Sequence, residues 1–154
     1  PVPVMKQFLR NPRRDMMLVA AAGPASNLVM AGIGALLLGL LARLGDVLGP
    51  DSLAMSFGAL VLAMFIGINV SLAIFNLLPI PSFDGGHIVE GLLPAGLADR
   101  YAAMQRQALL VVILLVVVVP TIAPQYNVIR WLIGPSVQWL TGYYGDLASL
   151  FAGS

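Results

Sequence analysis

Residues 76–87 read Asn-Leu-Leu-Pro-Ile-Pro-Ser-Phe-Asp-Gly-Gly-His, and this stretch decides the fold. It closes an uncharged run that extends from Ser52 to Phe83. Its two prolines remove backbone hydrogen-bond donors, and the Asp-Gly-Gly after them is a strong turn signal. Lipid tolerates such backbone, and a carboxylate, only where protein or water satisfies the polar groups. The segment therefore predicts a broken membrane helix with Asp84 as a candidate functional residue.

The composition of the chain is typical of a membrane protein. Of its 154 residues, 59% are hydrophobic and 10% are charged, whereas a soluble domain carries about 25% charged residues. The mean hydropathy is +0.92. The absence of cysteine excludes a disulfide framework and a thiolate metal site. We find no phosphate-binding loop, no serine or cysteine nucleophile motif and no nucleic-acid motif, so we expect the lipid bilayer, and not nucleic acid, beside the basic residues.

Hydropathy predicts an all-α, multi-pass transmembrane bundle. The predicted divisions are a cytoplasmic juxtamembrane loop at 1–15, a membrane core at 16–94, a cytoplasmic loop at 95–106, and a C-terminal part at 107–154. Uncharged runs at 16–42, 52–78 and 107–123 are each long enough to cross the hydrocarbon layer. Residues 127–151 are broken by Gly-Pro and predict a short or re-entrant fourth membrane segment, with an interfacial helix as the alternative.

Small residues recur every fourth position in both of the first two spans. They are Ala31, Ala35 and Gly39 in the first, and Ala59, Ala63, Gly67 and Ser71 in the second. Such stripes let helix backbones approach closely, so the pattern predicts a tight antiparallel pair. Asn69 and Asn76 are seven positions apart and share a face, which predicts polar groups turned inward.

The distribution of basic residues predicts the orientation. Residues 1–15 hold four Lys or Arg, the loop after the first span holds only Arg43, and residues 95–106 hold two. By the positive-inside rule the first and third of these regions are cytoplasmic. The 76–87 segment and residues 23–27 then lie at a similar depth, towards the cytoplasmic side.

Two motifs carry a resemblance to a known family. Asn76-x-x-Pro79 followed by Asp84-Gly85, and the earlier Gly-Pro-x-x-Asn at residues 23–27, resemble motifs of the site-2 protease family of intramembrane zinc metalloproteases. The resemblance covers residues 1–93 and implies a bacterial cytoplasmic-membrane protein. The sequence departs from the family in lacking the His-Glu-x-x-His helix, and Phe83 replaces the usual Leu.

The resemblance implies roles for particular residues. Asp84 matches the third zinc ligand, beside two His of the absent helix, whose Glu is the general base. Asn76 matches the residue that contacts the substrate backbone or the developing oxyanion. Asn27, Gly85 and Gly86 are implied to support the site. The implied function is regulated intramembrane proteolysis, in which peptide bonds of membrane-anchored protein substrates are hydrolysed.

The missing helix bears on what this chain does alone. We expect an internal or truncated piece of a longer protein, inactive as it stands, with Zn²⁺ belonging to the intact protein. A catalytic zinc takes three protein ligands and a water, and Asp84 provides one. A non-catalytic membrane scaffold related to the protease is an alternative, and the oligomeric state is open.

The sequence also permits other interpretations of these residues. Asp84, His87 and Glu90 are spaced three apart, which on a helix favours one side and allows a self-contained metal site or a transporter-like proton relay. The simpler interpretation of His87 and Glu90 is a hydrogen bond or ion pair near the interface. For Asn27 it is an interhelical hydrogen bond.

Overall fold

The computed structural model describes residues 11–48, 53–123, 125 and 128–153, and this part of the chain contains helices and no strand. The helices are α1 (Pro12–Leu48), α2 (Leu53–Asn76), α3 (Asp84–Leu92), α4 (Ala95–Ala103), α5 (Gln105–Ile113), a π-helical turn (Leu114–Val118), α6 (Val119–Ile122) and α7 (Val128–Ala152). The predicted all-α class is confirmed.

Among the described residues, three stretches are long and apolar enough to cross a membrane. They are Pro12–Asp46, Leu53–Asn76 and Gln105–Ile122. These correspond to the three predicted spans. Helix α7 is not one of them, so its position in a membrane stays a prediction.

Helix α1 begins earlier than predicted, at Pro12, so residues 12–15 are helical and not part of a loop. Asn11 precedes it, and the N–H of Asn11 donates to the Asp15 carboxylate at 3.1 Å. Proline is favoured at the first helical position because its missing N–H has no partner there in any helix. The prediction failed because the basic residues suggested solvated chain. Residues 1–10 lie outside the described part.

Two other predicted loops are wholly or partly helical. Helix α1 continues through residues 43–48, and residues 49–52 lie outside the described part. Residues 95–103 form α4, which is rich in the strong helix former alanine. Ala98 is 1% exposed, while Asp99 and Arg100 are exposed. Charges in these places mark the exposed side of a helix, not a loop.

The C-terminal helices pass through prolines that predicted breaks. Pro120 lies in α6, directly after a π-helical turn, and supplies no N–H to the carbonyl one turn earlier. Helix α7 continues through Gly134 and Pro135, so the predicted interruption there is wrong.

The chain divides into two compact units. The first unit lies within residues 1–25 and 75–132, and the second within 26–74 and 133–154. The second unit has a core of small and branched residues: Ala31, Ala35, Ile66, Val70 and Ala148. The small-residue stripe predicted for the first span is thus buried. In α2, however, Ala63 is exposed and no atom of the described residues lies within 4 Å of a Cβ built on Gly67, so the second predicted stripe is not the packed face there.

Candidate functional site

The site is built around a turn that follows α2. Helix α2 ends at Asn76, and the chain is not helical again until Asp84. Within the turn, the N–H of Ile80 donates to the carbonyl of Leu78 at 2.7 Å, and the N–H of Phe83 donates to that of Ile80 at 2.9 Å. These bonds satisfy backbone groups that the prolines take out of helical pairing.

The ends of the turn are joined by two aromatic rings. The centroids of Phe75 and Phe83 are 4.7 Å apart, with the ring planes tilted by 57°. Such a pair is favourable beyond its apolar burial. Phe83, where the family resemblance implied Leu, therefore helps to close the turn before α3.

Gly85 and Gly86 bring the first turn of α3 directly against this loop. Both glycines are buried. A Cβ added to Gly85 would collide with the carbonyl oxygens of Leu77 and Leu78. One added to Gly86 would collide with the carbonyl of Ile80 and lie 2.7 Å from the Cα of Pro81. The close approach at these two glycines is to the protein backbone of the turn, and the glycines do not prevent α3 from forming.

Asp84 occupies the first turn of α3 and is half-buried. The partial positive charge of a helix N-terminus stabilises a carboxylate in this position. Gly23 of α1 lies beside it, because a Cβ built on Gly23 would be 2.7 Å from Oδ2 of Asp84. The structure therefore brings together the two motifs that the sequence analysis singled out. Sequence reasoning chose Asn27 from the first motif and missed Gly23.

The same part of α1 makes further contacts within the first unit. A Cβ on Gly91 of α3 would be 2.8 Å from the Cβ of Met17. The Arg13 guanidinium donates to the Asp99 carboxylate of α4 at 3.0 Å, in an exposed ion pair. Ala20 is 5% exposed, and Pro24 is fully buried. Helix α1 thus packs on α3 from Met17 to Gly23, which is nearly two helical turns.

The three asparagines that the sequence analysis named lie in different surroundings. Asn76 is the last residue of α2, in the first unit, and is half-buried. Asn69 is 8% exposed, and its amide donates to the Phe65 carbonyl of its own helix at 2.9 Å. Asn27 is half-buried on α1 in the second unit. The roles predicted for Asn27 and Asn76 remain predictions.

His87 and Glu90 form a local pair. Nδ1 of His87 is 3.3 Å from Oε2 of Glu90, and the two side chains are 28% and 23% exposed. This contact is the one that the simpler interpretation predicted. Among the residues that the structure describes, no three His, Asp or Glu side chains are grouped closely enough to hold a metal ion. Asp84, His87 and Glu90 therefore do not form the self-contained metal site considered above.

A polar cavity of about 210 Å³ lies beside this pair. Its lining includes Arg13, His87, Glu90 and Asp99.

The Tyr101 hydroxyl is buried and has no hydrogen-bond partner within the described part of the chain. Burial, and to a smaller extent the Glu90 carboxylate, raises the pKa of Tyr101 above its ordinary value of 10.0. Tyr101 is thus a neutral hydrogen-bond donor at physiological pH.

Comparison with known proteins gives two similarities. Peptidase family M50 matches residues 43–120, a range that contains α2, the turn, and Asp84. The Bacillus subtilis (strain 168) protein named "Putative zinc metalloprotease YwhC" is 36% identical over 132 residues, which is 85% of this chain and 57% of that protein. The chain thus spans little more than half the length of this relative. No solved structure matches the chain.

Proposed function

Because this chain belongs to peptidase family M50, the site-2 protease family, we propose that it is part of an intramembrane zinc metalloprotease. Its substrates are membrane-anchored proteins, whose peptide bonds it hydrolyses in regulated intramembrane proteolysis. The observation that carries the proposal is the position of Asp84. This carboxylate begins α3 where the chain has left helical pairing, and it lies against Gly23 of the Gly-Pro-x-x-Asn motif.

The residues present fit one part of a zinc site. A carboxylate oxygen is an established zinc ligand, and a catalytic site uses three protein ligands. The sequence holds one histidine and no cysteine, and that histidine pairs with Glu90. Asp84 therefore contributes one ligand, and the other two, with the general base, come from residues outside this sequence. On this proposal the chain by itself is inactive.

The residues of this chain have two roles in the proposed reaction. Zinc, when bound, supplies Lewis-acid activation of water for attack on a peptide carbonyl. Asp84 holds the metal, and its carboxylate is kept in place by the packing of α3 on the turn and on α1. Asn76, at the end of α2, offers a neutral amide donor to the substrate backbone or to the oxygen on which negative charge develops.

The proposed membrane placement follows from the charges. Helices α2 and α3 form a discontinuous membrane segment, with the turn satisfied by protein as lipid requires. The N-terminal segment and α4 face the cytoplasm because they hold most of the basic residues. This places the Asp84 site towards the cytoplasmic side of a bacterial cytoplasmic membrane.

The test uses the full-length protein and the variant Asp84→Asn, which keeps the size of the side chain and removes its charge. We expect loss of cleavage of a membrane-anchored reporter and loss of zinc from the purified protein. Asp99→Asn is the matched control, because it removes a carboxylate from an exposed ion pair, and it should keep both properties. Full zinc content and cleavage in Asp84→Asn would refute the proposal.

A second variant separates this proposal from the relay or metal site considered for Asp84, His87 and Glu90. His87→Ala removes the contact with Glu90 and should leave the zinc content unchanged. If His87→Ala emptied the metal site, His87 and not an outside residue would be a ligand, and the proposed division of ligands would be wrong.

A further inference from the structure

We propose that Gly23 is a positioning residue for the Asp84 carboxylate: the missing side chain of Gly23 leaves the space that Oδ2 occupies, and so sets the direction in which the carboxylate points. The inference rests on the proposed function, since it concerns the orientation of a zinc ligand. It assigns to α1 a part in the site that neither motif shows when it is considered alone.

The distance between the two residues carries the argument. A Cβ on Gly23 would lie 2.7 Å from Oδ2 and 3.6 Å from Cγ of Asp84. Among the residues that the structure describes, no other atom lies within 4 Å of that position apart from the chain neighbours and the local helix backbone. Within this part of the chain, a methyl group at residue 23 would therefore meet the end of one side chain. The carboxylate can give way by rotating, and rotation changes where its oxygens point.

Helix α3 is held in place by its close packing on the preceding turn. Its first turn is already pressed on the 77–81 backbone through Gly85 and Gly86, where no Cβ could be accommodated. Movement of α3 would thus lose several close backbone contacts. Rotation of the Asp84 side chain costs far less, so the displacement falls on the carboxylate.

Helix α1 is held as well. Met17, which precedes Gly23 on α1, packs on Gly91 of α3. Pro24, directly after Gly23, is fully buried. The positions of both helices are therefore fixed around the contact, which leaves the side-chain torsion of Asp84 as the free variable.

The consequence for a metal ligand is specific. A zinc–carboxylate bond is about 2.0–2.2 Å long, and a site must hold its ligands to within about 0.5 Å. Residues that orient a ligand without touching the metal typically change metal affinity by about 10–100-fold when they are altered. We expect Gly23→Ala to weaken metal binding by this factor while the helices stay in place.

The experiment compares methyl groups added at three glycines of the full-length protein. In Gly23→Ala the added methyl group is directed at the Asp84 carboxylate. Gly91→Ala adds a methyl to the same pair of helices but against Met17, and Gly45→Ala adds one to α1 with no atom of the described residues within 4 Å. Three quantities are measured: zinc affinity, the visible absorption spectrum of the Co²⁺-substituted protein, and the thermal unfolding temperature of the metal-free protein.

If Gly23 positions the Asp84 carboxylate, the three variants should differ in the measured quantities. Gly23→Ala should lower zinc affinity and alter the Co²⁺ spectrum, which reports ligand geometry, with the unfolding temperature of the metal-free protein near that of Gly45→Ala. Gly91→Ala should lower the unfolding temperature and keep the Co²⁺ spectrum. An unaltered spectrum and affinity in Gly23→Ala would overturn the inference.

Asp84→Asn, measured in parallel, keeps failure of the inference distinct from failure of the proposed function. If Asp84→Asn loses the metal and Gly23→Ala does not, only the positioning role is wrong. If neither loses it, Asp84 is not a ligand and the proposed function fails. Should Gly23→Ala not fold, the double variant Gly23→Ala/Asp84→Ala decides: restored folding supports contact through the carboxylate, and continued misfolding contradicts it.

Discussion

Asn76 is the residue at which helical pairing stops, and its amide can donate hydrogen bonds without carrying charge. A neutral donor suits a carbonyl oxygen that becomes negative during attack, which is the role proposed for Asn76. The same residue type inside α2, Asn69, instead donates to the carbonyl of Phe65 one turn earlier. Both asparagines lie on α2 and carry the same amide group. They differ in that regular helix follows Asn69 and does not follow Asn76.

This difference allows a matched test of Asn76. Asn76→Ala should lower the turnover of a membrane-anchored substrate by about 100-fold, the usual effect of removing one oxyanion donor, and should leave zinc content unchanged. Asn69→Ala removes an amide that is bonded within its own helix, so turnover should change little. Equal turnover in Asn76→Ala and the unaltered protein would remove Asn76 from the mechanism.

At the level of single residues, the sequence predicted part of the site. A carboxylate and prolines at the end of an uncharged run stand out in any one-dimensional pattern, so Asp84 and the turn could be found. Gly23 could not, because a glycine contributes no chemical group and its role depends on what another helix places beside it. The contact joins Gly23 and Asp84, which are separated in the sequence by the rest of α1 and the whole of α2.

The helices show which packing signals a sequence carries and which it does not. The stripe of Ala31, Ala35 and Gly39 packs as predicted, whereas α2 presents Ile66 and Val70 to the core and leaves Ala63 exposed. Small residues recur on more than one face of α2, so their spacing alone does not identify the face that packs. Charges misled in the same way, since Asp99 and Arg100 were assigned to a loop and lie on α4.

Gly39 gives a prediction for the α1–α7 contact. A Cβ there would collide with the Ala148 carbonyl and lie 2.8 Å from the Cβ of Phe151. Because backbone must move, Gly39→Ala should destabilise the protein by about 1–3 kcal/mol, the usual cost of overpacking. The measurement is unfolding in lipid bicelles. Gly67→Ala is the control, because its added methyl has no atom of the described part of the chain within 4 Å; equal stability of the two variants would contradict the packing.

The molecule as a whole presents apolar side chains outward. Large hydrophobic residues such as Leu53, Ile122 and Leu150 are 87%, 79% and 74% exposed. Lipid is as apolar as these side chains, so their exposure costs nothing in a bilayer, and helix association depends on close packing of small residues. The few basic residues are then what fixes the direction of insertion.

The orientation can be measured because this sequence has no cysteine. A single cysteine introduced at Arg100 should be protected from a membrane-impermeant maleimide in intact cells and labelled after the membrane is opened. A single cysteine at Asp46, near the other end of α1, should be labelled in intact cells. The reverse pattern would place the Asp84 site on the opposite side of the membrane.

The contact between Gly23 and Asp84 also has a consequence in time. The ribosome makes α1 before α2, and the carboxylate that faces Gly23 only after both. Until α3 has been synthesised and has folded back on α1, the growing chain cannot form the contact between Gly23 and Asp84. On the proposed function, the zinc site therefore stays incomplete while α1 and α2 are being inserted.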